Sequence, residues 1–299
     1  MVDILIVGSG PAGLTAALYG RRANKSVLVL EKNGFGGQIT FSPKIENYPA
    51  FKEISGNELA DQLLDQAMAQ GAEVDLDEVV AIGREGDVFT VVTENGVHEA
   101  KTVILATGAK HRLLGVPGET DFVGNGISFC AVCDGAFYAG KEVVVVGGGN
   151  SALQEAILLS DLCTKVTVVQ NLPTFTGEGK LVEQLLKKDN VTAILGATVK
   201  EFRGAGELDT VVIETADGVQ ELKTDGVFVA IGLAPENGPF ADWIDLDAGG
   251  YADADESCLT KTEGLFVAGD CRKKGVRQIT TATADGATAA LAACRYLDK

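Results

Sequence analysis

The sequence has little proline, few cations, few histidines and no long apolar run. Seven prolines stand beside 37 glycines in 299 residues. The glycines therefore read as tight turns rather than as part of a Pro/Gly-rich low-complexity tract. Lys and Arg total 25 against 42 Asp and Glu, a formal charge of −17. A chain this acidic is a poor nucleic-acid binder, because phosphate binding needs clustered cations. No apolar run reaches the roughly 18 residues that span a bilayer, so no membrane role is expected. The stretch Met1 to Gly8 carries no basic segment and turns glycine-rich at once, so no signal peptide is expected. A cytoplasmic location follows. The six cysteines are then expected as thiols, redox-active or metal-bound, rather than structural staples. What is present, 46% hydrophobic and 22% charged residues, excludes disorder as the main state. At roughly 150 residues per domain the length suggests two domains.

The first reads as βαβ. A strand Ile4-Leu5-Ile6-Val7 runs into Gly8-Ser9-Gly10-Pro11-Ala12-Gly13, then a helix from Leu14 to Ala23, then a strand Val27-Leu28-Val29-Leu30 ending at Glu31. Glycines at this spacing let the backbone approach a pyrophosphate at a helix start, and the acid can hold a ribose hydroxyl. The alternative is a merely structural tight turn. The pattern recurs at Val143 to Val146, Gly147-Gly148-Gly149-Asn150-Ser151-Ala152, a helix from Leu153 to Leu162 and a strand Lys165 to Val169. Two such units imply two dinucleotide-type domains. Echoes at Val103-Ile104-Leu105-Ala106-Thr107-Gly108 and Val227 to Gly232 close them. After the second unit come Gly264 to Asp270 and a helix from Thr280 to Leu297. The expected fold is α/β, two Rossmann-like three-layer domains. The first is discontinuous, residues 1–113 and 243–299. A pyridine-nucleotide-type domain, 114–242, is inserted in it.

Cys130-Ala131-Val132-Cys133-Asp134-Gly135 is a C-x-x-C motif. Two thiols at this spacing can close a small disulfide, and one thiolate is commonly activated by its surroundings. A zinc half-site would need a second pair of ligands. Only His98 and His111 exist, and Cys163, Cys258, Cys271 and Cys294 stand apart, so no metal is expected.

Taken together, these motifs make the whole chain resemble the low-molecular-weight, bacterial-type thioredoxin reductases. The resemblance rests on the first glycine turn, Gly36-Gly37-Gln38-Ile39, Glu46-Asn47-Tyr48-Pro49, Ala106-Thr107-Gly108-Ala109, the C-x-x-C-D-G, Gly269-Asp270 and Arg277-Gln278. It implies FAD in the first domain, and because no His or Cys sits in a flavin-attachment context, binding without covalent linkage is expected. Gly8, Gly10, Pro11, Ala12, Gly13, Gly37, Thr107, Gly108 and Gly269 would form the cradle. Glu31 would meet the adenosine ribose, Gln38 and Asn47 would lie near the flavin, Asp270 would meet the ribityl chain, and Arg277 and Gln278 would lie near the ring. It also implies that Cys133 faces the flavin, that Cys130 attacks thioredoxin, that Asp134 is the general acid/base, and that the protein is a homodimer.

One segment departs from the family. NADPH-dependent members carry H-R-R-x-x-x-R after the second strand of the inserted domain, arginines that clamp the 2′-phosphate. Here Gln170, Asn171, Leu172 and Thr176 occupy those positions, and no acid near Gln170 offers itself to an NADH ribose. This domain is therefore expected to bind NADPH poorly, with a divergent NADPH site as the alternative. Flavoenzymes similar to this family take electrons from ferredoxin. Ferredoxins at about −400 mV and thioredoxin at about −270 mV make such a transfer downhill by roughly 6 kcal/mol for two electrons. Arg272-Lys273-Lys274 with Arg277, and Lys110-His111-Arg112, are expected as basic docking patches in an otherwise acidic chain, with solvated loops as the alternative. A dithiol oxidase using oxygen and a non-catalytic FAD module are the remaining alternatives.

Overall fold

The computed structural model describes residues 1–42 and 44–299. The chain divides into two compact units, residues 1–110 with 234–299, and residues 111–233. The second exchange point falls nine residues before the expected one. The reason is burial: Asn237 is sealed within the first unit, and Phe240 belongs to its hydrophobic core.

In the first unit β1 (Val2–Val7) leads through a glycine turn into α1 (Pro11–Arg22) and β2 (Val27–Glu31). Ile4 to Val7 of β1 and Val27 to Leu30 of β2 are continuous apolar runs, the pattern of parallel strands covered on both faces. β1 pairs in parallel with β2, Ile4 beside Val27 and Val7 beside Leu30. The helix starts at the turn itself rather than at Leu14, since Gly10 O already accepts the Leu14 N–H at 3.0 Å. Helix α2 (Gly56–Ala69) opens on a capping box between Ser55 and Glu58, which satisfies two otherwise unpaired N–H groups. Then come β3 (Glu73–Leu76), β4 (Val79–Glu85), β5 (Val88–Thr93) and β6 (Val97–Leu105). The sheet runs β3-β2-β1-β6 in parallel, with β4-β5-β6 an antiparallel meander on its flank.

A short strand β7 (Ala109–His111) leads to the second unit. There β8 (Ile127–Ser128), α3 (Ala131–Asp134), β9 (Glu142–Val146), α4 (Asn150–Ser160), β10 (Lys165–Gln170), α5 (Gly179–Leu186) and β11 (Val191–Leu195) follow. β12 (Thr198–Gly204), β13 (Leu208–Thr215) and β14 (Gly218–Lys223) form an antiparallel sheet of their own. β15 (Gly226–Val229) completes a parallel sheet ordered β11-β10-β9-β15-β8. β16 (Leu233–Pro235) pairs with β7. The chain then adds β17 (Leu265–Val267) beside β6 and ends in α6 (Ile279–Leu297). α6 crosses α1 so closely that a Cβ on Gly286 would stand 2.1 Å from Ala12 O. No helix among the described residues is long and apolar enough to cross a membrane.

The two units repeat one device. The Gly8 N–H donates to Leu30 O and the Gly147 N–H to Val169 O, at 2.8 and 2.9 Å. Gly8 and Gly147 both have positive φ, and a Cβ on either would fall within 2.5 Å of the carbonyl oxygen of Ala106 or of Ala230. Only glycine fits there. The match makes Glu31, which follows Leu30, the structural counterpart of Gln170, which follows Val169.

Candidate functional site: a nucleotide cradle and a redox-active disulfide

Glu31 ends β2 and reaches back to the glycine turn. Its Oε2 accepts from the Ser9 N–H at 2.8 Å and from Ser9 Oγ at 2.9 Å, and its Oε1 accepts from the Asn33 N–H. The carboxylate is thus oriented at the turn before any ligand arrives. A Cβ on Gly13 would collide with Gly8 O at 1.9 Å, whereas one on Gly10 would meet nothing nearer than Gly36 O at 3.9 Å. Gly10 therefore leaves room above the start of α1, whose leading residues Pro11 and Ala12 present no acid there. Such a helix start suits a pyrophosphate.

The other expected cradle residues fall in the same unit. Gly37 and Gln38 open a short 3-10 turn, Gly37–Phe41. Asn47, on a distant loop, donates from Nδ2 to Gln278 Oε1 at 3.2 Å, so the structure joins two residues that the sequence separates by 231 positions. Thr107 Oγ1 bonds Asn237 Oδ1 at 3.2 Å, and Gly108 has positive φ with open space about it. Asp270 follows Gly269 in the turn after β17. Its Oδ1 is buried without a hydrogen-bond partner, and burial raises its pKa. An orphaned carboxylate oxygen in a nucleotide cradle suits the hydroxyls of a ribityl chain. Arg277 lies over the Tyr251 ring, 4.1 Å from its centroid, and donates to the carbonyls of Asp270, Arg272 and Lys274. It braces the loop that carries Asp270. The donor set fits FAD.

Two residues that the sequence reading passed over hold this site together. Asn237 is fully buried and donates to Gly250 O and Cys271 O. Asp285 on α6 accepts the Gly269 N–H at 3.0 Å and pairs with Arg272 and Lys274. An Asp amid the Ala/Thr run of α6 was the available signal. This pairing also corrects an expectation. Arg272-Lys273-Lys274 is not an exposed patch, because the Arg272 and Lys274 side chains are 1% and 4% exposed and turn inward onto Asp285. Lys273 is exposed but faces Asp253. Lys110 pairs with Glu236, and His111 is stacked on Phe129. Of the second run, Arg112 is exposed and makes no ion pair among the described residues.

In the second unit Cys130 and Cys133 are joined as a disulfide. Cys130 precedes α3, and its Sγ accepts the Cys133 N–H at 3.2 Å. Ser128, at the end of β8, accepts the Cys130 N–H with its Oγ and donates to Asp134 Oδ2 at 2.6 Å. Asp134 Oδ1 is buried and unpartnered, and burial raises its pKa while the Ser128 bond opposes the rise. A carboxyl one residue from a sulfur, held above the usual carboxylate range by burial, is suited to proton transfer with that sulfur. The four remaining cysteines are buried thiols whose pKa values burial raises, the pattern of inert rather than reactive sulfur. Among the described residues no group of three His, Cys, Asp or Glu is arranged to hold a metal.

The second glycine turn keeps the backbone of a nucleotide cradle and changes its side chains. Gln170 is buried, and its amide lies where a Cβ on Gly148 would stand, 2.3 Å from Nε2. Its Oε1 accepts the Asn171 N–H and its Nε2 donates toward Thr174 O. Both polar ends are thus used by its own strand end. The loop that follows folds back, with the Thr176 and Gly177 N–H groups on Gly148 O. Glu178 bonds Asn150, the first residue of α4, through its backbone N–H and its Oε1. Asn171, Leu172 and Thr176 are exposed and neutral.

The pyridine nucleotide-disulphide oxidoreductase family matches residues 2–286. A thioredoxin reductase of Treponema pallidum is 42% identical over 299 residues, covering 99% of this chain and 97% of its own. A 34.2 kDa protein in the rubredoxin operon of Clostridium pasteurianum is 41% identical over 299 residues with the same coverage. The crystal structure of thioredoxin reductase from Streptococcus pyogenes aligns at a TM-score of 0.95 and 42% identity, covering 100% of this chain and 98% of its own.

Proposed function

The chain belongs to the pyridine nucleotide-disulphide oxidoreductases and is a flavin disulfide oxidoreductase, and from that premise we propose that it reduces a thioredoxin disulfide with electrons from a non-nicotinamide donor, ferredoxin foremost. The observation that carries the donor half is the pair Glu31 and Gln170. The first unit keeps an acid at the end of its second strand, bonded to its glycine turn. The second unit has a buried amide at the same place, with both ends engaged. No carboxylate at the end of β10 offers itself to ribose hydroxyls, and Asn171, Leu172 and Thr176 supply no guanidinium to a 2′-phosphate. The Glu178 carboxylate is taken up by Asn150, and its sign opposes a phosphate.

When bound, FAD supplies a two-electron carrier between donor and disulfide. The remaining chemistry belongs to the chain. Two electrons and two protons convert the Cys130–Cys133 disulfide into a dithiol. The Asp134 carboxylate takes the Cys130 proton, the Cys130 thiolate attacks the thioredoxin disulfide, and the thioredoxin sulfur that leaves takes that proton back from Asp134. Asp134 next takes the Cys133 proton, the Cys133 thiolate attacks the Cys130 sulfur, and the second thioredoxin sulfur leaves and takes that proton. The internal disulfide is restored and thioredoxin departs as a dithiol. Ser128 holds the Asp134 carboxyl toward the sulfur-bearing turn. The same reading takes the protein as a cytoplasmic homodimer, which sedimentation of the holoprotein tests.

The donor is tested by anaerobic mixing of the oxidised holoprotein with NADPH, NADH or reduced ferredoxin while flavin absorbance is followed. Ferredoxin should bleach the flavin and neither nucleotide should. Rapid bleaching by micromolar NADPH restores the nicotinamide reading. Oxygen uptake with a dithiol as sole reductant would favour an oxidase.

A further inference from the structure

Beside the disulfide lies a second carboxyl that the relay just described does not use. Glu155 projects from the middle of α4, the helix on which the C-x-x-C segment packs. Ala131 joins Ala152, Ala156 and Leu159 in one buried cluster, and a Cβ on Gly135 would touch Leu159 and Leu162. The packing brings Glu155 to the backbone N–H of Ala131, the residue directly after Cys130. Its Oε2 is sealed from solvent and has no hydrogen-bond partner. A buried, half-satisfied carboxyl is costly to keep, and glutamine could accept the same N–H without carrying a charge.

We propose that Glu155 is a positioning residue for the Cys130–Cys133 pair: its carboxyl seats the segment carrying the two sulfurs and, by gaining or losing its proton, governs how readily they become thiolates. The inference rests on the reading of this pair as the reactive dithiol. Burial, with a smaller contribution from Asp134, pushes the Glu155 pKa up to about 8, while the Ala131 N–H opposes the rise. Asp134, on α3, is the charged group that faces it among the described residues. Tyr138, in the turn after α3, has its hydroxyl pushed up to about 12 by burial, Asp134 and Glu207, and so stays neutral throughout. No charged group on β9, β10 or α5 contributes. Below about pH 8 Glu155 is therefore neutral and leaves the sulfurs free to ionise. Above it, a carboxylate beside the Cys130-Ala131 backbone opposes a second negative charge on either sulfur.

The test is alkylation of the reduced holoprotein by iodoacetamide as a function of pH, read on the peptide containing Cys130 and Cys133. It needs neither thioredoxin nor a donor, so its failure is separable from failure of the proposed function. Wild type should show two inflections, one from the thiols and one near pH 8. Glu155→Gln should match wild type at pH 7, lack the second inflection, and react about threefold faster at pH 9, the effect of one removed charge at partly screened range. Glu155→Asp should restore the pH dependence. A single-group titration in wild type overturns the proposal even if the variants fail to fold. Superimposable profiles for wild type and Glu155→Gln do so as well.

Discussion

Asp285 holds the Arg272 guanidinium by two bonds of 2.8 Å, Oδ2 to Nε and Oδ1 to Nη2, with both side chains buried. The same carboxylate takes Lys274 Nζ at 2.9 Å and the Gly269 N–H at 3.0 Å. One acid thus bonds two buried cations and pins the turn that carries Asp270. Arg272 has a second carboxylate in Glu256, but that one is 86% exposed.

Breaking a buried pair from one side leaves uncompensated charge inside, at a cost of about 3–5 kcal/mol. Asp285→Ala should lose about that much stability in denaturant unfolding and should shed FAD on dilution. Glu256→Gln, at the exposed partner, should cost less than about 1 kcal/mol. Equal effects from the two substitutions would contradict this division of labour.

Acid should weaken the second unit through His111. The ring is stacked on Phe129 with centroids 4.7 Å apart, and burial pulls its pKa from 6.5 down to about 4. Between those values the unfolded chain binds a proton that the folded chain refuses, so stability falls as pH drops through that window. The loss is bounded at about 3 kcal/mol. His111→Phe should flatten the stability profile between pH 6.5 and pH 4. An unchanged slope would exclude His111 as its source.

FAD should leave in the supernatant as free yellow cofactor when the protein is precipitated by heat or acid, since no His or Cys stands in an attachment context. Asp270→Ala should lower FAD retention, because it removes the buried Oδ1 that lacks any protein partner. Flavin kept in the pellet, or full occupancy in the variant, would contradict the cradle assignment.

The architecture was legible because its signals are local. Apolar runs of four, glycine turns and the C-x-x-C lie within a few residues, and each carries its own backbone reason. The counterpart relation of Glu31 and Gln170 was half legible: the missing charges are in the sequence, but the engagement of both amide ends is not. The Arg272-Lys273-Lys274 run misled, because Arg272 and Lys274 turn onto Asp285, eleven or more positions away on another element, and Lys273 pairs with Asp253. Glu155 escaped notice for the same reason. A glutamate in an amphipathic helix reads as solvated until α3 is seen to pack over it.

In the proposed reaction, electrons leave this protein through Cys130 and Cys133 to a thioredoxin disulfide. The direct measurement is an anaerobic single turnover, in which stoichiometrically reduced holoprotein is mixed with oxidised thioredoxin and thioredoxin thiols and flavin absorbance are followed together. Wild type should yield one thioredoxin dithiol per electron pair lost from the enzyme. Cys130→Ser and Cys133→Ser should yield none while retaining FAD, and Asp134→Asn should yield it slowly. Near-wild-type transfer by either cysteine variant, or reoxidation of wild type without any thioredoxin thiol, would contradict the account.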